Sequence, residues 1–135
     1  DNASTISERL KTLEVLHENG IYTILFMSPI FPEITDFRAI IEASKDYVEE
    51  YWFENLNLRG SYKPRILEYV KTHYPQYTQL YHEIYTEGNM AYWQSLSRAI
   101  EVYCSKHSVK YINYFYHEKL VAEKQNKKAA SIIAE

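Results

Sequence analysis

Apolar residues Ile6, Leu10, Leu13 and Leu16 recur on one helical stripe, and Thr5 and Glu8 stand before it at capping-box spacing. Gly20 supplies a stop, so the pattern predicts a helix from about Thr5 to Asn19. The run IYTILFMSPIFP follows, continuously apolar from Ile21 and interrupted by Pro29 and Pro32. Its length and β-rich composition predict a strand buried on both faces. Because proline cannot donate to a ladder, that strand is expected to end near Ser28. Thr35 or Asp36 can cap a second helix bearing Phe37, Ile40 and Ile41 to about Asp46. A second strand, within Tyr47 to Arg59, comes directly after it.

That second strand divides by period two. Trp52, Glu54, Leu56 and Leu58 fall on one face, and Phe53, Asn55, Asn57 and Arg59 on the other. Two amides and a guanidinium on one strand face need partners, since a buried polar group left unpaired costs roughly 1–3 kcal/mol. Those partners are either other side chains or a ligand. Beyond Gly60 the pattern predicts three helices. One contains Pro64, Ile66, Leu67 and Val70; a second carries Tyr77, Tyr81, Ile84 and Tyr85; a third, capped by Asn89, runs through Trp93, Leu96, Ile100 and Tyr103 to about His107. Val109 to Tyr116 reads as a third strand, and the Lys- and Ala-rich residues after Glu118 as an exposed helix or a partly disordered tail. Strand–helix–strand units with short links imply a small parallel sheet of about three strands with flanking helices, hence an α/β fold.

Bulk properties narrow the picture. A length of 135 residues suits one domain. Net charge is −3, which gives no general electrostatic case for nucleic acid or an anionic membrane. No apolar run reaches the roughly 20 residues a spanning helix needs. The N-terminus shows no basic segment followed by an apolar one, so no signal peptide is evident. The single cysteine, Cys104, excludes an internal disulfide and points to a reducing, cytoplasmic setting. Cys104 and His107 share a helical face, but two ligands are too few for a zinc site. The 14 tyrosines are the unusual number, and they suit either half-buried helix faces or a stacking surface. Three strands are few for a self-contained domain of this class, and a chain starting at Asp1 rather than Met reads as a piece of a longer one.

In parallel α/β sheets ligands bind beyond the carboxyl ends of the strands. The first strand brings Ser28, Pro29 and Ile30 to that edge, and the second brings Asn55, Asn57 and Arg59. A hydroxyl, two amides, a cation and exposed backbone suit a polar cofactor with an aromatic ring and a carboxylate, or equally a self-satisfied hydrogen-bond network. Arg59 and Lys63 near Gly60 also form a candidate anion site at a helix start, or simply a solvated loop.

The segments ERLKTLEVLHENGIYTILFMSPIFPEITD and YVEEYWFENLNLRGSYKPRILEYVK together resemble the C-terminal half of a radical S-adenosylmethionine (SAM) protein, in particular the spore photoproduct lyase-like subgroup. The resemblance covers about Ser4 to Tyr74 and thins through the later helices. It implies that the two strands are the fifth and sixth of a partial TIM-like (β/α)6 barrel, with 1–74 a barrel segment and 75–135 a helical extension. It also implies S-adenosylmethionine and a [4Fe-4S] cluster in the parent protein, reductive cleavage of SAM to a 5′-deoxyadenosyl radical, and hydrogen abstraction from substrate. By the same resemblance Pro29, Ile30 and Pro32 would lie near the adenine, and Asn55, Asn57 and Arg59 would line the cavity, the amides facing the barrel lumen. The cluster motif CxxxCxxC is absent, so this chain would be inactive alone, its partner being the missing N-terminal half of the barrel. A half barrel would also favour self-association through its exposed sheet, or covering of that sheet by the C-terminal segments. The alternative is a stand-alone interaction module using the tyrosine-rich helices.

Overall fold

The computed structural model describes residues 5–115. The first helix, α1 (Ile6–Glu18), begins in the expected capping box: the Glu8 amide donates to Thr5 Oγ1 and the Thr5 amide to Glu8 Oε2, each at 3.1 Å. Strand β1 (Ile24–Ile30) then leads to α2 (Phe37–Ser44), capped by Asp36 Oδ1 accepting from the Ala39 amide, and to β2 (Glu50–Asn55). Helices α3 (Tyr62–His73), α4 (Thr78–Tyr85) and α5 (Ala91–Lys106) precede the short strand β3 (Tyr111–Asn113). A 3-10 turn over Pro75–Tyr77 separates α3 from α4. The expected third strand thus keeps only its middle, and Tyr116 with the tail lies outside the described residues.

The three strands are parallel and lie in chain order, β1-β2-β3. Strand β1 runs on through Pro29 to Ile30 rather than ending at Ser28. The missing proline donor falls inside the register irregularity between Met27 and Ile30, so no ladder bond is forfeited there. The Ser28–Pro29 peptide is cis.

Register defines two faces. Leu25 and Met27 of β1 lie beside Tyr51 and Phe53 of β2, which lie beside Tyr111 and Asn113 of β3. Helices cover this face. Ser44 and Tyr51 share a 2.7 Å hydroxyl–hydroxyl bond, the Phe37 ring meets Phe53 edge-on, and Asn113 Nδ2 donates to Ser97 of α5 at 2.9 Å. The core of Met27, Ile30, Phe37, Ile41, Phe53, Trp93, Ile100 and Cys104 lies here. Desolvation in it pushes the Tyr51 phenol up to about 12 and the Cys104 thiol up to about 11, so Cys104 stays a neutral, inert thiol.

On the opposite face no helix packs among the described residues. This face carries Phe26 and Ser28 of β1, Glu50, Trp52 and Glu54 of β2, and Ile112 of β3. Phe26 is 48% exposed and Ile112 40%. The expectation that β1 is buried on both faces is therefore met on one face only. Open faces are unusual in all-parallel sheets, whose strands are normally covered on both sides.

Candidate functional site: the carboxyl edge and open face of the sheet

Three layers of side chains stand on the open face. At the amino end Glu50 is buried as a carboxylate. It accepts from Tyr22 Oη at 2.9 Å and from Trp52 Nε1, and Lys110 Nζ lies 3.3 Å away. These donors, led by the indole, hold its pKa below the usual carboxylate range. In the middle, the rings of Phe26, Trp52 and Tyr114 meet edge to face with centroids 5.6–6.2 Å apart. Nearest the carboxyl edge, Ser28 Oγ donates to Glu54 Oε1 at 3.0 Å. An apolar ring cluster with a hydroxyl–carboxylate pair beside it can exclude water from a ligand and anchor its polar groups at one end.

The residues expected from sequence separate onto different surroundings. Ser28 sits on the open face and is exposed, as is Pro29, whereas Ile30 and Pro32 are buried. Asn55 pairs with Ile30 at the end of β2 and is only 4% exposed. By alternation it follows Tyr51 and Phe53 on the helix-covered face, not the open one. Asn57 lies past the end of the strand, exposed, with Oδ1 accepting from Asn55 Nδ2 at 3.3 Å. The expectation that both amides line the open face is thus corrected. Period two separated the faces properly, but it does not say which face the helices cover. Arg59 lies exposed in the loop before α3. Lys63 donates to the Tyr85 carbonyl at 2.6 Å.

Asn55 Oδ1 is the exception to a well-satisfied interior: it is buried and accepts no hydrogen bond among the described residues. A buried acceptor without a donor is uncommon in folded proteins and marks a place where a donor group would be stabilising.

The residues that sequence reasoning missed are the tyrosines that fix the loops at this edge. Tyr81 Oη donates to the Pro32 carbonyl at 2.9 Å, and Tyr92 Oη accepts from the Glu33 amide at 2.9 Å. Tyr85 Oη donates to the Leu56 carbonyl at 2.8 Å. Phenols from α4 and α5 thus hold the loops that follow both β1 and β2. Glu33 has φ 61°, a left-handed conformation costly for a residue with a Cβ, and the Tyr92 contact falls at that residue's amide. Burial raises all three phenol pKa values, that of Tyr92 to about 12, so they remain neutral hydroxyls. The count of 14 tyrosines was the available signal, without indicating which carbonyls they would reach.

Among the described residues no group of three or more His, Cys, Asp or Glu side chains is placed to hold a metal ion. In the same span no helix is long and apolar enough to cross a membrane.

No protein-family profile matches the chain, and no solved structure matches it. A curated protein of Methanocaldococcus jannaschii, named as uncharacterized protein MJ0683, is 38% identical to it over 69 residues, 51% of this chain and 26% of that protein. The chain therefore spans about a quarter of the length of the curated relative it matches.

Proposed function

We propose that this chain is the C-terminal portion of a radical SAM enzyme, and that its open sheet face contributes part of the wall of the SAM and substrate cavity. One observation carries the reading. Three consecutive parallel strands lie in chain order with helices on one face and a mixed aromatic and polar surface on the other. A doubly wound sheet would reverse its strand order and take helices on both faces. An arc of a partial (β/α)6 barrel has neither feature: its uncovered face is the lumen, completed by strands from elsewhere in the protein. The match to the archaeal protein covers only a quarter of that protein, as expected of a chain that is one portion of a longer one.

The residues fit part of a cofactor wall. The rings of Phe26, Trp52 and Tyr114 exclude water, and Ser28 and Glu54 offer a donor and an acceptor to polar groups. Pro29, Ile30 and Pro32 form the loop edge beside it, held by Tyr81 and Tyr92. They do not fit the cluster, because one cysteine cannot hold a [4Fe-4S] centre, so its ligands must come from other parts of the protein. When bound, SAM and the cluster would supply reductive cleavage of a carbon–sulfur bond and hydrogen abstraction from substrate. This chain's residues orient, desolvate and hydrogen-bond. The face correction takes Asn55 off the proposed lumen wall and adds Trp52 and Glu54 beside Ser28.

The reading expects the parent reading frame to encode CxxxCxxC upstream of Asp1, with four further strand–helix units between. A frame without that motif would refute it.

The interaction-module alternative keeps one favourable observation. Tyr69, His73, Tyr74 and Tyr77 form a connected ring cluster around the end of α3, with Tyr69 52% exposed. Tyr81, Tyr85 and Tyr92, by contrast, are engaged within the fold. Retention of a partner by wild type and its loss in Tyr69→Ala would favour that alternative.

A further inference from the structure

A groove of about 510 Å³ lies between α2 and α5, on the helix side of the sheet and away from the proposed cavity. Its lining combines the cations of Arg38, Arg98 and Lys106 with the exposed aliphatic side chain of Val102. Ala99 and Tyr103 also line it, and His107 stands at its end. Arg98, Val102 and Lys106 recur four residues apart along α5. The two cations are thus about 12 Å apart along the helix axis, with Val102 midway. Arg38 is positioned from the facing helix, its guanidinium carbon 4.6 Å from the Phe37 ring centroid and 5.9 Å from that of Tyr103.

Neither Arg38, Arg98 nor Lys106 makes an ion pair among the described residues. The nearby carboxylate of Glu42 is engaged by Lys45 at 2.6 Å. Val102 is 57% exposed between cations, in a chain whose net charge is −3. Local positive charge on a net-acidic protein selects for a short acidic partner rather than an extended polyanion, which the overall charge repels. An apolar side chain between two cations matches a helical segment carrying carboxylates two turns apart and an apolar residue between them.

We propose that the α2–α5 groove docks an acidic amphipathic helix of a partner protein, its carboxylates meeting Arg98 and Lys106 and its apolar residue seated on Val102 and Ala99. Arg38 flanks the same segment from α2. This inference is independent of the radical SAM reading, since the groove lies on the opposite side of the sheet.

The test uses the full chain and a fluorescein-labelled helical peptide with glutamates at i and i+8 and leucine at i+4. Fluorescence anisotropy should show saturable binding that weakens as salt rises. A peptide with glutamine in place of glutamate should bind at least tenfold more weakly. The double variant R98E/K106E should lose at least tenfold in affinity for the glutamate peptide and gain affinity for a lysine version. V102D should weaken binding at unchanged far-ultraviolet circular dichroism. If the charge-reversed protein does not fold, R98Q/K106Q provides the same tenfold comparison. Absence of saturable binding, equal binding of the glutamate and glutamine peptides, or more effective competition by a short single-stranded oligonucleotide than by unlabelled peptide would overturn the proposal.

Discussion

Tyr81 is the position at which a single oxygen atom should matter most. Its ring is 1% exposed, and its hydroxyl donates to the carbonyl of Pro32, 49 residues earlier, which is itself fully buried. Tyr81→Phe keeps the ring and its contact with Tyr85 but leaves that carbonyl without its donor. A buried acceptor deprived of its partner costs about 1–3 kcal/mol. Each kcal/mol moves Tm by roughly 2–8 °C for domains of about 60–250 residues. Urea unfolding followed by circular dichroism should therefore show a lower midpoint at unchanged slope. Tyr69→Phe is the control, because that side chain is half exposed and its hydroxyl makes no hydrogen bond among the described residues. Such a surface change should stay within about 0.5 kcal/mol of wild type. If the two variants lose stability equally, the phenol is not what holds the Pro32 loop, and the account of how this edge is fixed fails.

Phe53→Ala should destabilise by about 3–5 kcal/mol, since Phe53 is 0% exposed between Phe37 and Tyr111; a loss below 1 kcal/mol in the same unfolding assay would contradict its place in the core. Glu50 is more acidic in the folded state than its ordinary value of 4.5, so its stabilisation is present above that pH and is lost as pH falls through the lower folded value. Glu50→Gln should accordingly flatten acid denaturation below pH 4.5 in a pH titration of stability, and an unchanged acid limb would exclude Glu50 as its source. We further predict that the uncovered sheet face drives self-association of this chain. Sedimentation velocity should show concentration-dependent growth that Phe26→Asp abolishes, and identical monomeric behaviour of both proteins would exclude this face as the contact.

Local signals in the sequence reached the elements. The capping box at Thr5 and Glu8, the cap at Asp36 and the β-rich run before Pro29 all mark elements that the structure contains, in the expected order. Asn89 missed its role by one position: Met90 is the N-cap of α5, while Asn89 Oδ1 accepts from the Ala91 amide at 2.9 Å. The first strand's end was misplaced because proline is excluded only where a ladder donor is required, and the register irregularity supplies a site without that need. The site was less legible. Alternation grouped Phe53 with Asn55 and Trp52 with Glu54, but helices chose the first pair's face through Ser44, Phe37 and Ser97, contacts between residues distant in the chain. The Tyr81, Tyr85 and Tyr92 hydroxyl bonds span 29 to 59 residues, so no local pattern could reveal them.

The central proposal concerns the open face, and it is tested most directly in the longer protein that the proposal requires. After anaerobic iron–sulfur reconstitution, reduction with dithionite and addition of SAM, formation of 5′-deoxyadenosine is measured by liquid chromatography. The proposal predicts product in wild type and a loss of at least tenfold in both Trp52→Ala and Glu54→Gln, with the helix-side variant V102D unaffected. Absence of 5′-deoxyadenosine from a protein that holds its cluster, or full activity in both open-face variants, would contradict it.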